Sequence, residues 1–348
     1  MAKYLRNTWY VAAFSDEVSR TPLARTLLEK PIALFRRQDG EPVALFDRCP
    51  HRFAPLSLGR LLGDELQCSY HGLRFDPQGR CVFNPHRGGS QLPAARVESY
   101  PLIERYGFVW IWPGEPEKAD PALIPDYDFL RKPDEFSVLK GLIHVKANYQ
   151  LVVDNLLDLS HAPYLHPHFA MSGVSPDEQI AATTTRLERT DRGVVAYRWR
   201  NGLPPNQVTC ELFGFPADPV NSRAHMTWFA PSLLSFDVGS CAPGTAEREG
   251  LCLPQAHCIT PETEITCHYF FATARNMRRN DPEVDRQLLD ILERAFRTQD
   301  EPMIEAVQLR MGPTSDLESL RPLLLASDGP PVAARRMLAK LITEENVV

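Results

Sequence analysis

The chain has 348 residues, 43% of them hydrophobic, and a net charge of −6 at neutral pH. That length accommodates two domains of ordinary size with real cores, and the acidic balance gives no general reason to bind nucleic acid. The start is charged at Lys3 and Arg6 and reads as no signal peptide, no run approaches the roughly 18 apolar residues of a membrane span, and eight cysteines over this length are no disulfide framework, so a reduced, cytoplasmic protein is expected. The basic pairs Arg278-Arg279 and Arg335-Arg336 lie outside any longer basic tract and read as solvated surface.

From Trp9 to about Val109, short apolar runs alternate with Pro, Gly and Asp, the pattern of a small all-β module. Pro31-Ile32-Ala33-Leu34-Phe35 and Pro42-Val43-Ala44-Leu45-Phe46 flank Gln38-Asp39-Gly40, a hairpin whose turn is signalled by Asp-Gly. Two short motifs follow, Cys49-Pro50-His51-Arg52 and Cys68-Ser69-Tyr70-His71-Gly72, with sixteen residues between His51 and Cys68. Two thiolates and two neutral imidazoles suit either a zinc ion or a 2Fe-2S cluster in which two His replace two Cys on one iron. Zinc fingers keep their Cys together and their His together; here each loop carries one of each, so each can offer one ligand to each iron. Imidazoles in place of thiolates remove negative charge and raise the potential to roughly −150 to +300 mV. Such a centre passes electrons on and breaks no bonds. Gly72 supplies backbone freedom after His71, Pro50 stiffens the other loop, and a second hairpin is expected around Leu73 to Gly79. Cys81, Cys210, Cys241, Cys252, Cys258 and Cys267 read as reduced, buried thiols.

Tyr106 to Gly114 reads as a buried strand closed by a turn, with Trp110 and Trp112 on one face, either packed in the core or forming a docking surface. The Pro-rich segment Pro113 to Pro133 reads as a connector, which divides the chain into domains 1–115 and 116–348. From about Asn148 to His161 the periodicity turns helical, with Leu151, Asn155, Asp158 and His161 on one stripe and the end near Pro163. An apolar helix that aims Asn, Asp and His along one line needs a polar object there, because an unpaired buried polar group costs about 1–3 kcal/mol. His166 and His168 flank Pro167. On its own this grouping reads as a hydrogen-bonded core feature. Strands then dominate from Thr183 to Phe271, alternating as in an antiparallel sheet with one covered face. Pro282 opens a long helix with Asp281 as its N-cap, and Pro302, lacking an amide donor, disturbs the turn that carries Asp300 and can turn it toward the core. Asp290, Glu293, Glu301 and Glu305 are local rivals to Asp300. A short amphipathic helix around Ala333 to Ile342 carries no evident chemistry, and the chain has no glycine-rich dinucleotide fingerprint.

The two Cys/His loops resemble the Rieske motif of the Rieske non-heme iron oxygenases. The entry Asn7-Thr8-Trp9-Tyr10-Val11-Ala12-Ala13 is similar to that of the branch holding the vanillate and dicamba O-demethylase oxygenase components and toluenesulfonate methyl-monooxygenase. The likeness runs nearly end to end and weakens around Pro204 to Gly250. It implies an α+β fold: an N-terminal Rieske all-β domain, then a helix-grip catalytic domain of antiparallel sheet with helices. It implies Cys49, His51, Cys68 and His71 on the 2Fe-2S cluster, and His161, His166 and Asp300 on a mononuclear Fe(II). By the same likeness Asp158 bridges His161 or His166 to His71 of a neighbouring subunit. Asn155, one turn earlier on the stripe, either leans toward the iron or makes a structural hydrogen bond, and His257, in a stretch that resembles a hairpin of the O-demethylases, either hydrogen-bonds a substrate carboxylate or is a satisfied sheet histidine. One departure stands at Gln299, where relatives often carry an acid. The expected protein is the terminal oxygenase of a multicomponent system, a homotrimer fed by NADH through a separate reductase with flavin and 2Fe-2S, or through a ferredoxin. The expected reaction is O-demethylation of a methoxylated aromatic acid; methyl or ring hydroxylation by the same metals, and electron transfer without oxygenase activity, are the alternatives.

Overall fold

The computed structural model describes residues 3–171, 173–215 and 219–347. Its contacts divide the chain into two units: Tyr4–Ile124 with Thr260–Thr263, and Pro125–Ile259 with Glu264–Val348.

The first unit is built from short strands: β1 (Tyr10–Phe14), β2 (Leu23–Leu27), β3 (Lys30–Arg36), β4 (Pro42–Phe46), β5 (Arg60–Leu62), β6 (Glu65–Gln67), β7 (Arg74–Phe75), β8 (Cys81–Phe83), β9 (Ser99–Tyr100), β10 (Leu102–Arg105) and β11 (Phe108–Ile111). They form three antiparallel sheets, ordered β1-β11-β10, β2-β3-β4-β9 and β5-β6-β7-β8. The Asp-Gly hairpin forms as its turn signal requires, with Ile32 opposite Phe46, Arg36 opposite Pro42, and Gly40 at φ +91°. Trp110 and Trp112 are fully buried, with their indole N–H groups donating to the carbonyls of Arg105 and Glu115. They pack the core and leave no docking surface. A second core joins Phe35, Leu45, Leu56, Leu66 and Phe75 to Cys49 and Cys68, so both cysteines sit at the inner ends of their loops.

The second unit is a seven-stranded antiparallel sheet carrying helices. In chain order it runs β12 (Ser137–Val145), α1 (Tyr149–Leu157), α2 (Ala162–Leu165), α3 (Pro176–Ala181), β13 (Thr184–Arg189), β14 (Gly193–Leu203), α4 (Gln207–Phe213), β15 (Val220–Phe229), β16 (Leu233–Cys241), β17 (Leu251–Thr263), β18 (Thr266–Arg275), α5 (Pro282–Ala295), α6 (Glu301–Met311) and α7 (Gly329–Val347). The sheet order is β12-β18-β17-β16-β15-β14-β13. Leu288 and Leu292 of α5 pack with Val208, Leu212 and Leu251. Asp281 caps α5 through the amides of Glu283 and Val284.

The polar stripe is not one helix. α1 stops at Leu157 because Asp158 leaves helical geometry (φ −110°, ψ 94°) and uses its carboxylate to cap the next turn at the Ser160 amide. His161 closes a separate 3₁₀ turn, and Pro163 lies in the first turn of α2, where its missing N–H costs nothing. The final helix is also longer than its amphipathic stretch, and Arg335 is not solvated surface. Its guanidinium, about 10% exposed, clamps Asp154 of α1 from Nε at 2.8 and 3.0 Å. Arg336, the next residue, is 71% exposed. The eight cysteines are all free, and all but Cys210 are buried.

Candidate metal centres

The two loops of the first unit have the same backbone design. The Cys49 amide donates to the Ala54 carbonyl and the Phe53 amide returns to the Cys49 carbonyl; the Cys68 amide donates to Leu73 and the Gly72 amide returns to Cys68. Each loop therefore closes on its own cysteine and swings a histidine outward. Closing it needs a left-handed residue four places after the cysteine: Gly72 takes φ +75° without penalty, whereas Phe53 takes φ +60° at a cost of about 1–2 kcal/mol. Cys49 and Cys68 are buried, His51 is exposed, His71 half-buried, and the two imidazole rings lie 4.4 Å apart. Soft sulfur donors inside and imidazoles outside suit a 2Fe-2S cluster with its His-ligated iron toward solvent. Burial, with the neighbouring Cys68 adding to it, pushes the Cys49 thiol up to about 11. Only a bound metal makes it a thiolate at neutral pH.

In the second unit His161, His166 and Asp300 converge, their ligand atoms all within 4.8 Å of one another. Asp300 Oδ1 lies 3.4 Å from His161 Nε2 and 3.3 Å from His166 Nε2. The other ring nitrogens are taken: His161 Nδ1 donates to the Asp158 main-chain carbonyl at 2.7 Å and His166 Nδ1 to Gln299 Oε1 at 2.8 Å. This fixes both rings with the Nε2 lone pair facing Asp300. Two neutral imidazoles and one carboxylate meeting at a point are the donor set of a non-heme ferrous site. Burial raises the Asp300 carboxyl, but the His161 and His166 rings beside it outweigh that and hold the group down to about 2. Burial lowers His166, yet Asp300 and Gln299 raise it on balance.

Asp300 reaches this point because the helix is underwound before it. Residues Phe296–Asp300 form a π turn, in which the Glu301 amide reaches back five residues to the Phe296 carbonyl. Pro302 brings no amide of its own. Three of the four rivals face elsewhere: Asp290 pairs with Arg286, Glu293 approaches Arg297, and Glu305 caps the Lys146 amide. His168 lies near Arg294, outside the cluster. The Asn155 amide donates to Asp300 Oδ1 at 3.1 Å. The Asp158 carboxylate does not touch His161; its main-chain carbonyl makes that contact, while Oδ1 accepts from Ser160 and lies 3.6 Å from Arg198.

This candidate site opens on a cavity of about 200 Å³ whose lining includes Leu156, Phe169, Met226, Phe236, Leu253, Phe296 and His257. His257 is 1% exposed, shares a hydrogen bond of 2.8 Å between Nδ1 and the Tyr269 hydroxyl, and has no partner at Nε2 among the described residues. Burial holds its pKa down to about 3, so it is a neutral ring with Nε2 left to face a ligand. Tyr269 and Arg198 escaped the sequence reading as contributors to this site, and Gln299 stood there only as a departure, with no role. Arg198 was findable, since it shares strand parity with the buried Val194 and Ala196.

A cluster-binding β unit and an antiparallel sheet holding a two-His, one-carboxylate centre define a two-site iron oxygenase. Comparison with known proteins agrees. Residues 8–101 match the Rieske [2Fe-2S] domain and residues 145–344 the vanillate O-demethylase oxygenase C-terminal domain. The chain is 37% identical to the oxygenase component of dicamba O-demethylase from Stenotrophomonas maltophilia, over 97% of this chain and 98% of the relative. It is also 37% identical to the oxygenase component of chloroacetanilide N-alkylformylase from Rhizorhabdus wittichii, over 98% and 97%. The crystal structure of dicamba monooxygenase bound to 3,6-dichlorosalicylic acid superposes with a TM-score of 0.92 at 37% identity, covering 99% of each chain. The chain belongs to the Rieske non-heme iron oxygenases, as the oxygenase component of a multicomponent monooxygenase. It is therefore an enzyme with a 2Fe-2S and a mononuclear iron cofactor, and a reductase or ferredoxin as partner; no helix of the described residues is long and apolar enough to cross a membrane.

Proposed function

We propose that this oxygenase O-demethylates a methoxylated aromatic acid, in the cytoplasm, with electrons from NADH delivered by a separate reductase bearing flavin and 2Fe-2S. The observation that carries this reading is the largely apolar cavity that joins His161, His166 and Asp300 to His257 Nε2, a space suited to one substituted ring. The O-demethylase relatives support the chemistry. Cys49, His51, Cys68 and His71 would hold the cluster, and His161, His166 and Asp300 the ferrous ion. When bound, these groups supply single electrons and dioxygen activation: one oxygen atom enters the methyl C–H bond, and the other leaves as water with two electrons and two protons. The resulting hemiacetal splits into a phenol and formaldehyde.

The chain's own residues do the positioning. Asn155 holds one oxygen of Asp300, Gln299 and the Asp158 carbonyl fix the two imidazoles, and Tyr269 fixes His257 as a donor to the substrate. Asp158 is the electron bridge between copies of the chain: among the described residues its carboxylate takes its partners, Ser160 and Arg198, at Oδ1, leaving Oδ2 to accept from His71 of a neighbouring copy. Phe53, Leu58 and Tyr70, exposed beside the cluster loops, and Met303, Leu323 and Leu324, exposed beside Asp158, supply apolar surface for that contact in a homotrimer.

Product analysis of the iron-loaded oxygenase with a surrogate reductase on a panel of methoxybenzoates and methylbenzoates tests the reaction. Formaldehyde with the matching phenol is the expected outcome. A benzylic alcohol or ring-hydroxylated product, with no formaldehyde, would replace O-demethylation by one of the hydroxylations.

A further inference from the structure

The same cavity contains a second polar feature, at the β14 side of the sheet. Arg198 and Arg200 alternate onto one face of β14, about 7 Å apart along the strand, and both line the cavity. Arg198 is 8% exposed; its Nη2 donates to the Leu157 carbonyl at 2.8 Å, and its Nη1 is buried without a partner among the described residues. Arg200 donates from Nε to Thr183 Oγ1 at 2.8 Å and has no acid within ion-pair distance among the described residues. A third arginine of the lining, Arg223, is already committed to Asp237, the Glu247 carbonyl and the Cys252 sulfur.

The charges around this space do not balance. Its lining includes one carboxylate, Asp300, which belongs to the iron site. Asp158 gives Arg198 a partial counter-charge at 3.6 Å, and Arg200 has none. Burial lowers the pKa of both guanidinium groups from the ordinary arginine value, as expected of cations short of partners. His257, neutral at physiological pH, lies on β17, three strands or roughly 14 Å across the sheet from β14. It can offer a hydrogen bond but brings no positive charge.

We infer that the acid group of the substrate is received by Arg198 and Arg200 on β14, which form an oxyanion subsite for a carboxylate or sulfonate, while His257 reads a neutral acceptor at the opposite end of the ring. The inference deepens the proposed function by naming which end of the cavity takes the charge. A planar guanidinium presents paired N–H donors that match either oxyanion, and an oxyanion is what the unpartnered Nη1 of Arg198 lacks.

The test is calorimetric binding of 4-methoxybenzoate, 4-methoxybenzenesulfonate and 4-methoxybenzamide to the iron-loaded oxygenase. The wild type is expected to bind at least one anion about tenfold or more tighter than the amide, and Arg200→Gln to abolish that preference while leaving amide binding within about twofold, as for loss of a charged hydrogen bond. Arg200→Lys should restore part of it, and His257→Asn should weaken acid and amide alike. Which anion prefers the wild type separates carboxylate from sulfonate. Arg198→Gln should behave as Arg200→Gln does; because Arg198 also holds the Leu157 carbonyl, the more exposed Arg200 decides the matter if that variant fails to fold. An amide that binds the wild type as tightly as both anions, a preference that survives Arg200→Gln, or no binding by any of the three would overturn the subsite. Formaldehyde release is scored separately, so a hydroxylase with this subsite remains distinguishable from an O-demethylase without it.

Discussion

At the scale of single residues, the iron site depends on what orients its ligands. Gln299 accepts from His166 Nδ1, and a neutral amide there leaves that imidazole less basic than a carboxylate would. Gln299→Ala should lower mononuclear-iron affinity about 10- to 100-fold, read as iron lost on dialysis against a weak chelator while the visible spectrum of the cluster is unchanged. Full iron retention would remove Gln299 from the site's support. His257 makes a different prediction, on stability. Its folded pKa of about 3 lies below its ordinary 6.5. The unfolded chain therefore takes up a proton below pH 6.5 that the folded chain refuses until about pH 3, so this contribution is full above pH 6.5 and is lost progressively as the pH falls toward 3. Within that window the group adds a slope of up to about 1.4 kcal/mol per pH unit to the wild type's unfolding free energy. Urea titrations from pH 7 to pH 5 should show a shallower slope for His257→Gln; equal slopes would mean that the ring is charged or solvated in the folded protein.

At the scale of elements, two irregularities bring the distant residues of the proposed iron site together. The break at Asp158 ends α1 and lets a separate turn present His161, and the π turn Phe296–Asp300 adds the residue that rotates Asp300 inward. Each residue of a helix advances about 100° around its axis. Deleting Thr298 should restore α-helical register and carry Asp300 off the histidines. Iron analysis should then fall from three per chain to two, with the cluster's colour kept and turnover at least about 100-fold lower, the cost of losing a positioned metal. A variant that still holds three irons would show that the π turn is dispensable.

At the scale of the whole molecule, the proposed trimer makes each active site depend on two chains. A chain with Cys68→Ser lacks the cluster and a chain with Asp300→Ala lacks the mononuclear site. Expressed separately, each should be inactive. Co-expressed and purified as mixed trimers, they should recover activity, because an intact cluster in one copy can serve an intact iron in its neighbour. Recovery reaching about a quarter of the wild-type rate is expected from random mixing under one-to-one pairing of neighbours. No recovery in trimers shown by tandem tags to be mixed would place the electron route within one chain.

The chain's own order of residues carried the family, the two-part α+β architecture and the hairpin at Asp39-Gly40, because those rest on local chemistry: ligand types a few residues apart, turn residues with obligatory backbone angles, and alternation along strands. Gly72 was legible for that reason, whereas Phe53, in the equivalent left-handed position, was not, since nothing in a phenylalanine announces φ +60°. The sequence also isolated Asp158, His161, His166 and Asp300 as candidates, but spacing could not choose Asp300 over its acidic neighbours. Burial and the π turn separate it from them, and both depend on how α5 and α6 pack. The contacts of Gln299 with His166, of Tyr269 with His257 and of Arg198 with the cavity join residues 12 to 133 positions apart, or a strand to a helix end. Tertiary structure alone decided these, because a hydrogen bond is set by distance in space and a one-dimensional pattern holds no record of which distant side chains meet.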